Sequence, residues 1–234
     1  MRLLMWDVDL TLLHAGGVAR ESWAEAFGAM TGLAPRVLPT FAGRTDLDTA
    51  AEIFRVHGLP EPDFEEFFDR YAAAFAARRD LVARHGRVLP GAAEVLAALA
   101  ERPDITQTVV TGNIRPVAEV KLDALGLSGT LDLDVGGYGT DDGDRATLVR
   151  RGRQRAEAKY GTFADLWVIG DTRHDVAAAL ACGARAVGVA SGSAGADELA
   201  SAGADLVLES LADVGAVVRA LTGSRCVNES SSPG

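Results

Sequence analysis

Three short stretches of this sequence set chemically capable residues directly behind apolar runs: Asp7-Val8-Asp9-Leu10-Thr11, Thr111-Gly112-Asn113 and Gly170-Asp171-Thr172-Arg173-His174-Asp175. In an open parallel sheet, ligands gather beyond the carboxyl ends of the strands. If the three runs are neighbouring strands, the carboxylates of Asp7, Asp9, Asp171 and Asp175 therefore converge on one small volume. Like charges that close raise one another's pKa or require a cation, and hard oxygen ligands with no histidine or cysteine among them suit Mg²⁺. Aspartates behind strands also cap the helices that follow. That accounts for one such residue more readily than for Asp-x-Asp and Asp-x-x-x-Asp spacings together.

The elements that must position these residues follow from periodicity. Leu3–Trp6, Thr108–Val110, Leu166–Ile169, Ala186–Val189 and Leu206–Leu208 are short and apolar nearly throughout, as strands buried on both faces are. They alternate with helical stretches at 92–100, 146–159, 176–181 and 211–221, so an α/β sheet with helices on both faces is expected. Leu131–Val135 alternates apolar and acidic residues and is expected to be an edge strand. Between residues 14 and 88 helical periodicity replaces strands, and seven of the eight phenylalanines fall there. Phe64, Phe67, Phe68, Tyr71 and Phe75 keep the steps of one helix face, which reads as packing of a small helical core. The chain is thus expected to divide into a core of residues 1–13 and 89–221, a helical module of 14–88 and a polar tail of 222–234.

Composition narrows the class. With 48% apolar and 24% charged residues over 234 positions, a sizeable core is available. A net charge of −10 disfavours nucleic-acid binding. Apolar stretches fall short of the ~20 residues a membrane span needs, and the acidic turn after Trp6 is unlike a signal peptide, so a cytoplasmic location with no membrane partner is expected. Cys182 and Cys226 make neither a metal spacing nor a disulfide framework. Asn228-Glu229-Ser230 matches the glycosylation pattern but is discounted for a cytoplasmic chain.

Asp7–Leu12, Val110–Asn113 and Gly170–Asp175, in this order and with a helical insertion directly after the first, resemble the motifs of the haloacid dehalogenase-like hydrolase superfamily, in its phosphoglycolate phosphatase-like group. The resemblance spans residues 3 to about 221 and implies a Rossmann-like core with a small all-helical cap, although Leu10 stands where many relatives have glycine. It further implies that Asp7 attacks phosphorus, that Asp9 protonates the leaving oxygen and later deprotonates water, and that Asp7, Asp171 and the main chain of Asp9 hold Mg²⁺, with Asp175 an outer ligand or an orienting residue. Thr111 offers a hydroxyl and Gly112 an N–H to a phosphate oxygen, with Asn113 beside them. The Lys-Pro pair of many relatives is absent. Arg145, opening a helix, is the leading candidate for the cation that joins nucleophile and phosphate, with Lys121 as its competitor and a solvated basic face as the plain alternative for Arg145.

Gly43-Arg44-Thr45-Asp46 is the expected contact loop of the cap, with Arg44 its substrate-facing residue and Thr45 and Asp48 a capping box. The four histidines share no spacing and are expected at surfaces or helix ends. A small phosphorylated metabolite is the expected substrate, for a monomer or homodimer. A sugar phosphomutase would share every core residue. A haloacid dehalogenase needs no second aspartate, a phosphonate hydrolase would want a lysine that 14–88 lacks, and a silent binding protein of the same fold would ordinarily have lost Asp7, Asp9 or Asp171.

Overall fold

The computed structural model describes residues 1–41 and 43–223; Cys226, the Asn228 motif and most of the expected tail lie outside them. Five parallel strands form one sheet in the order β4-β1-β5-β6-β7. Their ranges are β1 Arg2–Trp6, β4 Ile105–Val109, β5 Asp165–Gly170, β6 Arg185–Val189 and β7 Leu206–Leu208. The chain leaves β1 for β4 on one side and returns to β5 on the other. The carboxyl end of β1 therefore lies at the reversal of strand order where α/β sheets bind ligands.

The near-continuous apolar runs are explained by burial on both faces. Leu4 and Trp6 of β1 pack with Val95, Leu96, Val117 and Leu122 of α5 (Ala92–Ala100) and α6 (Arg115–Ala124). Leu3 and Met5 pack on the other face with Leu148 and Val149 of α7 (Arg145–Tyr160) and Val176 of α8 (Arg173–Ala181). Helices α9 (Ala196–Ser201) and α10 (Val214–Thr222) complete the layers. Among the described residues, no helix is long and apolar enough to cross a membrane.

The expected edge strand at 131–135 does not form. The Asp132 carboxylate accepts the Asp134 N–H, and this local turn folds Leu133–Val135 into a 3₁₀ turn instead of an extended ladder. The segment still borders β4: Asp132 N–H donates to the Gln107 carbonyl, and Val110 and Gly137 form an isolated bridge.

Between the antiparallel pair β2 (Leu13–His14) and β3 (Arg87–Val88) lie α1 (Val18–Thr31), α2 (Asp46–Val56), α3 (Phe64–Ala76) and α4 (Arg79–His85). The aromatic face of α3 packs as expected: Phe67 stands 5.1 Å from Trp23 and 5.6 Å from Phe54, ring centre to ring centre. The expected capping box of α2 forms only by half. Thr45 accepts the Asp48 N–H, while the Asp48 carboxylate turns to Arg44 at 2.7 Å.

Candidate active site

Four loops meet at the carboxyl end of β1. The first begins where Asp7 N–H donates to the Ile169 carbonyl, fixing Asp7 against β5. The turn at Leu10 has φ of 63°, a left-handed conformation that costs a non-glycine residue roughly 1–2 kcal/mol. It is held by Leu10 N–H to Leu13 and by the Ser191 hydroxyl donating to the Leu10 carbonyl at 2.6 Å.

Asp7, Asp171 and Asp175 are buried and each presents a carboxylate oxygen within 4.8 Å of the others'. Burial, together with the charges of Asp175, Asp171 and Asp9, raises the Asp7 carboxyl well above the usual range, while Arg145 opposes the shift. The Asp171 carboxyl is pushed up to about 6 by burial and by Asp175. Thr11 sits between, its hydroxyl 3.4 Å from both Asp7 and Asp171. At Gly192 a Cβ would lie 1.7 Å from an Asp171 oxygen, so the absent side chain leaves that carboxylate its place.

Arg145 departs from the basic series that follows it on α7. Arg150, Arg153, Arg155 and Lys159 pair with Asp144, Glu157, Asp141 and Asp132 at the helix surface and its margins. Arg145 turns inward, 2.6 Å from both Asp7 and Asp175, and its guanidinium is almost fully buried. Asp175 is fully occupied: one oxygen takes Arg145, the other the N–H and hydroxyl of Thr172 in a complete capping box. Its hydrogen bonds orient Arg145 and Thr172, while its carboxylate also lies in the group with Asp7 and Asp171.

Lys121 also reaches the site, but to a different carboxylate. From α6 its buried ammonium lies 2.6 Å from Asp9 and 2.7 Å from the Asn113 carbonyl oxygen. Asn113 donates from its amide to Asp9 at 2.6 Å and to the Thr111 hydroxyl at 2.7 Å. Burial would raise the Asp9 carboxyl, yet Lys121 and Asn113 outweigh it and hold Asp9 below its ordinary value. Thr111 Oγ1 already accepts from the Asn113 main-chain and side-chain N–H groups, so its own proton is free to be donated outward. The Gly112 N–H has no hydrogen-bond partner among the described residues.

The helical segment closes over these groups. Arg44 O would lie 2.0 Å from a Cβ on Gly112, Asp46 N–H donates to the Gly112 carbonyl, and Ile114 N–H donates to the Asp46 carboxylate at 2.7 Å. The partly open cavity has a volume of about 270 Å³, and its lining brings together Asp7, Asp9, Thr111, Gly112, Asn113, Lys121, Arg145 and Asp171. Arg44 is on the lining too, although its guanidinium is paired with Asp48.

Sequence reading did not single out Trp23, Tyr71 or His14 for this lining, and named Asp46 only as part of the contact loop. Asp46 stood in the expected contact loop beside the more conspicuous Arg44. Tyr71 fits the packing stripe and is also a wall of the cavity, so the packing reading of that face is incomplete. His14, expected at a surface or helix end, lies on β2 and faces the cavity.

Residues 4–180 match the family described as haloacid dehalogenase-like hydrolase. No curated protein matches the sequence. Among solved structures, the fold is shared with a predicted phosphatase from Clostridium acetobutylicum (20% identity, 94% of this chain and 97% of that one, TM-score 0.68) and a hydrolase from Pseudomonas syringae (23%, 94% and 99%, 0.63). It is shared as well with CbbY from Rhodobacter sphaeroides in complex with phosphate (19%, 91% and 96%, 0.62). With three motifs meeting at one sheet end and the family match spanning most of its length, the chain belongs to the haloacid dehalogenase-like hydrolases.

Proposed function

We propose that the chain is a Mg²⁺-dependent phosphatase acting on a small phosphomonoester, with the core of residues 1–13 and 89–221 carrying the chemistry and residues 14–88 serving as its cap. The observation that carries this reading is the pair of aspartates two residues apart in opposite environments: Asp7 among carboxylates and Arg145, Asp9 held separately by Lys121 and Asn113. Their separate partners suit separate roles, Asp7 as nucleophile and Asp9 as acid and base; without metal Asp7 is raised and Asp9 lowered, and a divalent cation beside Asp7 would restore its ionised, nucleophilic form.

The donor set supports the metal. Asp7 and Asp171 offer hard oxygens, both carboxyls are raised by burial and then by neighbouring carboxylates, and a divalent cation would offset both effects. The Asp9 carboxylate is engaged by Lys121 and Asn113, which leaves its main-chain carbonyl as the donor from that residue. When bound, Mg²⁺ would neutralise charge on Asp7 and the phosphoryl oxygens.

In the first step an Asp7 oxygen attacks phosphorus and the bond from phosphorus to the ester oxygen breaks, leaving an aspartyl phosphate. Asp9 gives its proton to the departing oxygen. Lys121 keeps Asp9 ionised in the resting site, and the approach of an anionic phosphoryl group favours the protonated form that this step requires. In the second step the Asp9 carboxylate takes a proton from water, whose oxygen attacks phosphorus and releases Asp7. The Thr111 hydroxyl, the free Gly112 N–H, Lys121 and Arg145 hold the phosphoryl oxygens. Arg44 would reach a substrate only by giving up Asp48.

The test is phosphate release from a panel of small esters with Mg²⁺ or with chelator. Metal-dependent release that drops on the order of 10³-fold or more in Asp7→Asn is expected. Undiminished turnover in that variant would remove Asp7 as nucleophile.

A further inference from the structure

Two unlike sets of residues line the cavity. The core contributes Asp7, Asp9, Lys121, Arg145 and Asp171; the helical segment contributes Trp23, Phe41, Tyr71 and Asp46, the last beside the Gly112 loop. Trp23 is the centre of that aromatic wall, 4.7 Å from Tyr71 and 5.7 Å from Phe41 between ring centres.

The charges on the lining are unevenly paired. Three cationic side chains lie on the lining and each is already paired: Arg145 with Asp7 and Asp175, Lys121 with Asp9, Arg44 with Asp48. Asp48 itself lines the neighbouring cleft beside Asp144 and His174, and Arg44 lines that cleft as well as the cavity. His14, the remaining basic side chain there, has Nδ1 against the Gly16 amide. Asp46 is the opposite case. It is 7% exposed, has no ion-pair partner among the described residues, and receives only the Ile114 N–H on one of its oxygens. Burial pushes its carboxyl up to about 7, against the pull of the Ile114 N–H and Lys121, so its ionised form is poorly compensated and a cation beside it would favour that form; three aromatic rings line the same cavity.

Aromatic faces beside an unpaired carboxylate are what an ammonium group requires, by attraction to the ring faces and by direct charge pairing. They are what a second anion must avoid. Resting on the phosphatase reading above, we infer that the leaving group is a short alcohol bearing a positive charge, an amino-alcohol phosphate, and that Asp46 with Trp23, Phe41 and Tyr71 selects it over esters with a second anionic group. A cavity of about 270 Å³ accommodates a short alcohol.

A charge series of nearly constant size isolates this effect: phosphoethanolamine, propyl phosphate and phosphoglycolate carry an ammonium, a neutral and a carboxylate end. With Mg²⁺ present, kcat/KM should fall by about tenfold or more at each step of that series, mainly through KM. In Asp46→Asn, which keeps an oxygen for the Ile114 N–H, the three esters should come within a few-fold of one another. Calorimetric affinities of the same three esters for the metal-free protein provide a readout independent of turnover and should follow the same order. A flat series, a preference for phosphoglycolate, or no binding of any of the three overturns the inference. Ordered binding without hydrolysis by any ester would uphold the subsite and sink the phosphatase reading. Hydrolysis with no charge order would do the reverse.

Discussion

Arg145 stands between two buried carboxylates that would repel each other without it. Replacing it with methionine would keep much of its volume but leave Asp7 and Asp175 uncompensated, and removing one partner of a buried charged cluster costs about 3–5 kcal/mol. For a chain of this size that corresponds to a fall in melting temperature of roughly 10 °C. Arg145→Lys should lose less stability, since one charge remains, but it cannot span both carboxylates as the planar guanidinium does. Phosphate release by the lysine variant should therefore be at least tenfold below the parent, and a calorimetric scan beside a turnover assay checks both expectations. At this scale much was legible. Asp7, Asp9 and Asp171 are marked by spacing behind apolar runs, and Arg145 by opening a helix. Which of Arg145 and Lys121 meets which aspartate was not, because it depends on how α6 and α7 lie against the sheet. Asp46 was hidden for the same reason: nothing in Thr45-Asp46-Leu47 distinguishes a helix-start aspartate from a carboxylate facing a cavity.

The elements that matter most to closure are the loop after β4 and the start of α2. They meet backbone to backbone: a Cβ on Gly112 would sit 2.0 Å from the Arg44 carbonyl, and the Asp46 N–H donates to the Gly112 carbonyl. Gly112→Ala must separate the two elements, and overpacking of this kind costs about 1–3 kcal/mol. It should also lower kcat/KM by about tenfold or more, because Asp46 at the start of α2 moves away from the loop and water enters between them. Gly129→Ala provides the comparison, since a Cβ there meets nothing within 4 Å, and it should change neither quantity appreciably. Paired melting curves and initial rates decide between a docking contact and a general sensitivity to added methyl groups. Periodicity located every strand of the five-stranded sheet because burial on both faces leaves an unbroken apolar run. It failed at 131–135, where a side chain competing for its own backbone overrode the alternation, and at Thr45/Asp48, where Arg44 captured the second half of the box.

On the scale of the whole molecule, the order of strands was outside the reach of any local pattern, yet it decides everything about the site. Only because β4 and β5 flank β1 do three separated motifs share one volume, and the carboxylates gathered there make stability depend on pH. The Asp171 carboxyl, at about 6 in the folded chain, lies above its ordinary value, and Asp46, pushed up by burial to about 7, does likewise. Between pH 4 and 7 the folded protein therefore holds protons that the unfolded chain has released, so metal-free stability falls as pH rises through that window. Mg²⁺ held by Asp171, as proposed, would act in the opposite direction, because it requires the ionised form. At a concentration near 100 times its dissociation constant, a ligand of the folded state adds about 2.7 kcal/mol, or about 5–10 °C in melting temperature for a chain of this length. At pH 5 a carboxyl with a pKa of about 6 is mostly protonated, which weakens binding roughly tenfold and removes about 1.4 kcal/mol of that gain. Thermal melts with and without Mg²⁺ at pH 7.5 and pH 5 should thus show a clearly larger metal-induced rise at the higher pH, one that vanishes in Asp171→Asn. An equal rise at both values would mean that the ion binds elsewhere than at the carboxylates of Asp7 and Asp171.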